Sequence, residues 1–273
     1  MSVPTVNGKK AMIEFVDTHT HLFVEEFDGD RAAAVQRAAA EGVSALCLPC
    51  IDASSLPAIN EMCNSYPGLC HAMIGLHPTE LGDDYRKTLD ELYAHLKNDS
   101  KFIAIGEVGL DFYWDDTRKT EQTDAFEHQI AWAAEFGLPL AIHSRNAFNE
   151  LCAVMDNKRS MGLSGVFHCF SGSADEAHRL LGYEGFFLGI GGVLTYKNSG
   201  LPKALENVPL ERIVLETDSP YLAPVPKRGK RNESSYLPFV AQRLAEIYNC
   251  PLEHVAEVTT ANAHALFPKI CNK

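Results

Sequence analysis

No stretch of this 273-residue sequence approaches the ~18 consecutive apolar residues of a membrane-spanning helix. The apolar run Ala11–Val16 is interrupted by Glu14 and is too short for the apolar segment of a secretory signal. A cytoplasmic setting with no membrane partner is therefore expected. Basic residues are scarce: Lys plus Arg number 24 against 36 Asp plus Glu, a formal net charge of −12. Affinity for phosphate chains ordinarily comes from clustered Lys and Arg, so a global electrostatic grip on nucleic acid is excluded. Any phosphate partner must be held locally, by bound metal or a small basic patch. A disulfide framework is missing as well. The eight cysteines are scattered through apolar segments, which fits a reducing compartment. Cys47-Leu48-Pro49-Cys50 has the spacing of a redox or zinc motif. No second pair completes a zinc site and no helix directly follows Cys47, so a structural role is the preferred reading. Neither low-complexity sequence nor a linker interrupts the chain, which reads as one domain over residues 1–273, and nothing in it points to an obligate protein partner.

What is present is alternation. Short runs rich in Val, Ile and Leu fall at 13–18, 43–49, 71–76, 102–108, 138–143, 165–168, 186–190 and 212–216. Near-continuous apolar runs of this kind are expected of parallel strands buried on both faces. Amphipathic stretches separate them, at 30–41, 55–66, 85–98, 120–136, 146–157, 174–181 and 202–206, with two more at 236–248 and 252–266. Eight strand–helix repeats in this length predict an α/β fold of the (β/α)8 TIM-barrel type, with a doubly wound open sheet as the alternative. The stretch Ser219–Ser235 stands apart. It carries Pro220, Pro224 and Pro226 and then Lys227-Arg228-Gly229-Lys230-Arg231, the one dense basic cluster in an acidic chain. Its prolines rule out a regular helix; it is either a solvated loop or a phosphate-contacting loop beside an active site.

Residue types change where the strands end. The first ends in Asp17-Thr18-His19-Thr20-His21, and two histidines two positions apart on an extended strand share a face. Glu107 ends the fourth strand, His143 the fifth, His168 the sixth, and Asp218 follows the eighth. Four histidines and two carboxylates thus gather at C-terminal strand ends, where barrel enzymes place their active sites. Any one of them alone reads as a hydrogen-bonded structural residue or a loop cap; together they predict a metal site. Imidazole and carboxylate ligands suit Zn, Mn, Fe or Mg, and six are too many for one tetrahedral ion. Two ions sharing a carboxylate fit the number. Cys169 points to the opposite side of the strand from His168 and is left out. Glu216 shares the strand face of Asp218 and supports the ligands. His71, His95, His128, His178, His254 and His264 lie within or between elements and are assigned to ordinary structure.

The motifs Asp17-Thr18-His19-Thr20-His21-Leu22, Gly75-Leu76-His77-Pro78, Gly106-Glu107-Val108-Gly109-Leu110-Asp111-Phe112 and Ile142-His143-Ser144-Arg145 occur in that order. They continue with Phe167-His168-Cys169-Phe170-Ser171-Gly172, Leu215-Glu216-Thr217-Asp218-Ser219-Pro220-Tyr221-Leu222, Arg231-Asn232-Glu233, and Thr260-Ala261-Asn262 with Leu266-Phe267. Along nearly its whole length the chain resembles the TatD family of metal-dependent deoxyribonucleases. The resemblance implies an amidohydrolase-type TIM barrel holding two divalent ions (Mg, Mn or Zn). His19, His21, Glu107 and Asp218 would ligate one ion; Glu107, His143 and His168 would ligate the other. Where many amidohydrolases bridge their ions with a carbamylated lysine, the fourth strand here offers Glu107. The sequence departs from the family at Ser234, where Pro is usual, a change that concerns the shape of the loop and removes no ligand.

The expected activity is that of a deoxyribonuclease, a 3′–5′ exonuclease or DNA-repair phosphodiesterase, acting on DNA or a small phosphodiester. Glu107 and Asp218 are the expected catalytic residues, Asp218 orienting or deprotonating the attacking water. His77, Arg145, Arg228 and Arg231 are expected to hold phosphate oxygens, Arg being suited to bidentate contacts. The alternative is hydrolysis of a small amide, ester, lactone or aminoacyl-tRNA, because the same metal chemistry serves at carbonyl carbon. A non-catalytic scaffold retaining the fold is a third reading, opposed by the intact ligand set.

Overall fold

A computed structural model describes residues 13–271; Ala11 and Met12 of the first apolar run lie outside the described residues. Among the described residues there are eight strands: β1 (Phe15–Asp17), β2 (Val43–Leu48), β3 (Cys70–Ala72), β4 (Ile105–Asp111), β5 (Leu140–Arg145), β6 (Gly165–Phe167), β7 (Phe186–Ile190) and β8 (Ile213–Leu215). Their pairing is parallel throughout, in the orders β1-β2-β3 and β4-β5-β6-β7-β8. Two parallel bridges join these arcs, Ile74 with Ile105 at one seam and Thr20 with Ser219 at the other. At the second seam the Thr18 amide also donates to the Leu215 carbonyl at 3.0 Å. The sheet is therefore closed into a TIM-type barrel. The open-sheet alternative fails at the seam between β1 and β8.

Helices α1 (Arg31–Ala40), α2 (Leu56–Ser65), α3 (Tyr85–Asn98), α4 (Lys119–Phe136), α5 (Phe148–Asn157), α6 (Ala174–Leu181) and the short α7 (Leu201–Ala204) alternate with the strands. Two more, α8 (Leu237–Tyr248) and α9 (Leu252–Leu266), follow the last strand. Among the described residues no helix is long and apolar enough to cross a membrane.

The period of two along each strand sorts the core into two layers. Phe15, Leu46, Ile142, Phe167, Leu188 and Leu215 belong to the large cluster packed against the helices. Their neighbours Val16, Ala45, Ala141, Val166 and Val214 form a separate inner cluster, with Phe187 partly buried against it. Ala263, Leu266 and Phe267 of α9 and its C-terminal extension pack onto this inner cluster. The Asn262 side chain holds α9 there by donating to the carbonyls of Leu210 (2.9 Å) and Ile213 (2.7 Å), and the Thr260 hydroxyl donates to the Glu14 carbonyl at 2.9 Å. One step further along the inward phase of the strands, the residue type becomes polar: His143 follows Ala141, His168 follows Val166 and Glu216 follows Val214. The barrel interior is apolar below and ligand-bearing above.

Seven of the eight strands differ in their bounds from the apolar runs, most of them by one or two residues, and β3 and β4 differ most. β4 starts at Ile105 and continues through Gly109 to Asp111, pairing with β5 up to Asp111 opposite Arg145. Gly109 lies just past the apolar run 102–108, and the longer strand requires it. Its φ is +136°, and a Cβ there would lie 2.0 Å from the His143 carbonyl oxygen, so only glycine lets the two backbones approach this closely. The β4–β5 register also shifts between Gly106 and Val108, leaving Glu107 as the extra residue of a bulge, a device that re-aims a side chain. β3 is shorter than its apolar run, with only the Ile74 bridge continuing it.

Candidate metal centre

Glu107 sits at the centre of a ring of imidazoles and is itself 3% exposed. Its two oxygens face different neighbours. Oε2 is 3.1 Å from His19 Nε2 and 3.7 Å from His21 Nε2. Oε1 is 2.7 Å from His168 Nε2, 3.0 Å from His143 Nδ1 and 3.3 Å from His77 Nε2. Asp218 completes the first side, its Oδ1 3.3 Å from His21 Nε2 and 3.9 Å from His19 Nε2. Among the described residues three overlapping sets therefore have ligand atoms close enough to hold an ion: His19, His21 and Asp218; His19, Glu107 and His168; and His77, Glu107 and His143.

The donor set fits divalent cations. It consists of imidazole nitrogen and carboxylate oxygen without thiolate. His19 Nε2 and His21 Nε2 face one another at 3.2 Å, an arrangement that two lone pairs tolerate only with a proton or a cation between them. Burial pushes the His19 imidazole below its ordinary pKa, which leaves its ring neutral and free to ligate. Burial also opposes ionisation of Glu107, but His168, His77 and His19, with a hydrogen bond from His143, hold its carboxyl well below the carboxylate range. For His168 the desolvation is outweighed by Glu107, which raises the imidazole well above its usual value. Asp218 is held low in spite of burial by its contact with His21 and the nearby His168. A buried carboxylate held anionic among imidazoles is a receptive site for positive charge, whether carried by protons on His168 or by metal ions.

His77 differs from the others. Its Nδ1 lies 2.7 Å from the Thr79 hydroxyl and 3.2 Å from the Thr79 amide, contacts that hold the ring with Nε2 toward Glu107. Burial keeps that ring below its ordinary pKa. His77 thus stands at the rim of the cluster, anchored by Thr79 on one side and facing Glu107 at 3.3 Å on the other.

Carboxylates behind the ligands fix their orientation. Asp111 Oδ2 accepts from His143 Nε2 at 2.8 Å, which turns Nδ1 toward Glu107. Glu216 Oε1 accepts from the Cys169 amide at 2.6 Å and lies 3.7 Å from His168 Nδ1. Room for Glu216 comes from Gly189, where a Cβ would meet its Oε2 at 2.2 Å. Beneath His19, Asp17 takes the Thr217 amide (2.9 Å) and hydroxyl (2.6 Å), which ties β1 to the chain leaving β8. Two non-glycine residues here adopt positive φ, Cys169 at +50° and Asp218 at +55°; such backbone strain concentrates at functional sites. The sequence reading passed over Asp111 and Asp17. Both stand inside its motifs, and Asp111 follows Glu107 at the spacing of one strand face.

The arginines divide. Arg145 is exposed, with its guanidinium 3.9 Å from the centroid of Tyr113 and 5.4 Å from that of Trp114. Arg228 is exposed and stacks on Tyr196 at 4.1 Å. Arg231 does not match the expected phosphate contact. Its guanidinium donates to both Asp30 oxygens (2.6 and 2.9 Å) and to the Glu26 carbonyl (2.8 Å), over the ring of Phe27. It is a strut between the basic loop and α1. Glu233 makes a second strut with Arg37 at 2.6 and 2.8 Å, while the Asn232 amide donates to the carbonyls of Thr217 and Tyr221. Ser234, where the family usually has Pro, is buried and donates to Thr20 Oγ1 at 3.3 Å. The Arg-Asn-Glu motif holds the loop in place.

The Cys47–Cys50 pair is buried at the end of β2, both thiols free. Burial raises Cys47 far above the ordinary thiol value and Cys50 to about 11, leaving neither as a reactive thiolate.

Comparison with known proteins agrees with this geometry. The family described as TatD related DNase matches residues 16–268. A Bacillus subtilis protein named as the metal-dependent hydrolase YabD is 38% identical, the match covering 92% of this chain and 98% of that one. A protein of Edwardsiella piscicida named 3'-5' ssDNA/RNA exonuclease TatD is 31% identical, covering 92% and 98%. Among solved structures, the TatD homologue YjjV from Escherichia coli superposes with a TM-score of 0.86 at 30% identity, covering 94% of this chain and 99% of that one.

Proposed function

Because this chain belongs to the TatD related DNase family of metal-dependent hydrolases, we propose that it is a nuclease that removes nucleotides from the 3′ end of DNA, working with two divalent ions. The observation that carries the reading is the division of Glu107 between two ligand groups, with Oε2 toward His19 and His21 and Oε1 toward His143 and His168. His19, His21, Glu107 and Asp218 would hold one ion and Glu107, His143 and His168 the other. When bound, such ions neutralise charge on a phosphoryl group and make nearby water more acidic.

The protein's own residues supply the rest. Asp218 has a side chain 14% exposed against 4% for Glu107, so it is the ligand carboxylate open to water. Held ionised, it orients that water and takes its proton. His77, beside Glu107 at the edge of the cluster, would contact a phosphate oxygen. Arg145 and Arg228 present exposed guanidiniums to the flanking phosphates. This local positive charge offsets the −12 balance of the chain over a short segment only, which favours strand ends over long duplex.

The test is cleavage of 5′-labelled DNA by chelator-stripped protein supplied with Mg, Mn or Zn, beside Asp218→Asn. A metal-dependent ladder shortening from the 3′ end, lost in the variant, supports the reading. A folded, metal-binding protein that cuts no DNA overturns it and directs attention to amide, ester and aminoacyl-tRNA substrates.

A further inference from the structure

Scattered exposed apolar side chains are ordinary; their placement here is not. Among the described residues, Tyr113, Trp114, Tyr221, Leu222 and Val225 account for most of the exposed large hydrophobics, with Met161 and Phe239 elsewhere. These five lie on two loops, one following β4 and one following β8. Those are the elements that carry Glu107 and lead into Asp218.

The first loop is a built feature. Asp111 Oδ1 accepts from the backbone amides of both Tyr113 and Trp114 at 2.9 Å, while its Oδ2 accepts from His143. One carboxylate thus fixes a metal-ligand candidate and the backbone of two aromatic residues. The Tyr113 and Trp114 rings meet edge to face at 85° with centroids 5.1 Å apart. Arg145 caps Tyr113 at 3.9 Å. In spite of these contacts Tyr113 remains 53% and Trp114 69% exposed. The pair has fixed geometry, a cation on one side and open indole surface on the other.

We infer that Tyr113, Trp114 and Arg145 form a stacking subsite for an unpaired nucleobase of the strand whose phosphate lies at the Glu107 cluster. The inference rests on the nuclease reading above and adds to it the group that grips the base. Aromatic rings accept any base face, and stacking of this kind is sequence-tolerant. Arg145 adds a planar cation able to stack and to meet the adjoining phosphate. The acidic chain gives the subsite its purpose. With little long-range attraction for phosphate, affinity for a strand end must come from contacts that survive at net charge −12, and stacking is one. A base inside a duplex is already stacked and cannot enter.

The subsite is tested by two readouts, both using a single-stranded thymidine oligonucleotide and the same oligonucleotide with abasic residues at its 3′ end. The first is tryptophan emission. The protein has two tryptophans, of which Trp132 is 7% exposed. Titration of metal-free protein with the thymidine strand should quench emission, the abasic strand should not, and Trp114→Phe should abolish the change. The second is steady-state cleavage. Trp114→Ala should raise KM for the thymidine strand about 10-fold with kcat little changed, and Trp114→Phe should keep most of the affinity. For the abasic strand, Trp114→Ala should cost nothing further. Equal quenching by both strands, no quenching by either, or a Trp114→Ala variant impaired in kcat with normal KM would each overturn the subsite. If the protein cleaves no strand but the base-dependent quench appears, the subsite stands and the nuclease chemistry is what has failed.

Discussion

Asp111 carries two contacts on one carboxylate, and they can be separated by substitution. Asp111→Asn removes the negative charge that orients His143 yet keeps an oxygen for the Tyr113 and Trp114 amides. Loss of a carboxylate behind a ligating histidine typically costs 10–100-fold. Asp111→Asn is therefore expected to lower kcat and metal affinity by about 10–100-fold with KM little changed, measured on a single-stranded oligonucleotide. Asp111→Ala should raise KM as well. A variant with wild-type kcat would show that His143 is oriented by something else. His19, His21, Glu107, His143, His168 and Asp218 could be named from sequence because each is a ligand-type side chain at a strand end. Asp111 could not, because it lies three residues beyond the apolar run 102–108 and reads as loop, whereas β4 continues to it. Arg231 misled for the opposite reason. Its cluster looked free in sequence, and its partner Asp30 lies 201 positions away.

Elements position these residues through close backbone contacts. Gly109→Ala would drive a methyl group into the His143 carbonyl in a conformation that side chains rarely adopt. A loss of more than about 1–3 kcal/mol, measured by denaturant unfolding, is expected together with loss of activity; a stable, active Gly109→Ala would contradict the β4–β5 geometry. The basic loop is fastened to α1 by Glu233 and Arg37. Burial opposes ionisation of Glu233, but its hydrogen bonds from Arg37 and Ser235 hold the carboxyl below the ordinary value of 4.5. A depressed carboxyl contributes stability that is present above its unfolded pKa and lost as pH falls through its folded one. Wild-type stability should therefore drop as pH is lowered below about 4.5, and Glu233→Gln should be less stable at neutral pH with a flatter acid limb. Thermal unfolding across that range measures both. If the two proteins show parallel pH profiles, Glu233 is not ionised in a stabilising contact. The strands themselves were legible because parallel strands buried on both faces read as apolar runs. Their bounds were less so, since the bulge at Glu107 is a property of the pairing with β5 and not of β4 alone.

At the scale of the molecule, alternation of strand and helix made the fold class readable, while closure of the barrel was not. Closure depends on contacts such as Thr20 Oγ1 with Ser219 Oγ, 2.6 Å apart and 199 positions distant in sequence. The closed barrel brings six ligand-type side chains from distant segments into one buried group, and their mutual desolvation costs stability unless positive charge joins them. Divalent metal at about 100 times its Kd should stabilise the protein by about 2.7 kcal/mol, raising Tm by about 5–10 °C, and chelator should reverse the shift. An unchanged Tm with saturating metal would mean that the group is satisfied by its own protons.

If Glu107 joins two ion sites, the number of Mn ions bound per chain reports it, measured by equilibrium dialysis of chelator-stripped wild type and Glu107→Gln. The geometry predicts two ions in the wild type and a loss of at least one in the variant, because the neutral amide cannot serve both ligand groups. A wild type that saturates at a single ion, or a Glu107→Gln variant that still binds two with equal affinity, would contradict it.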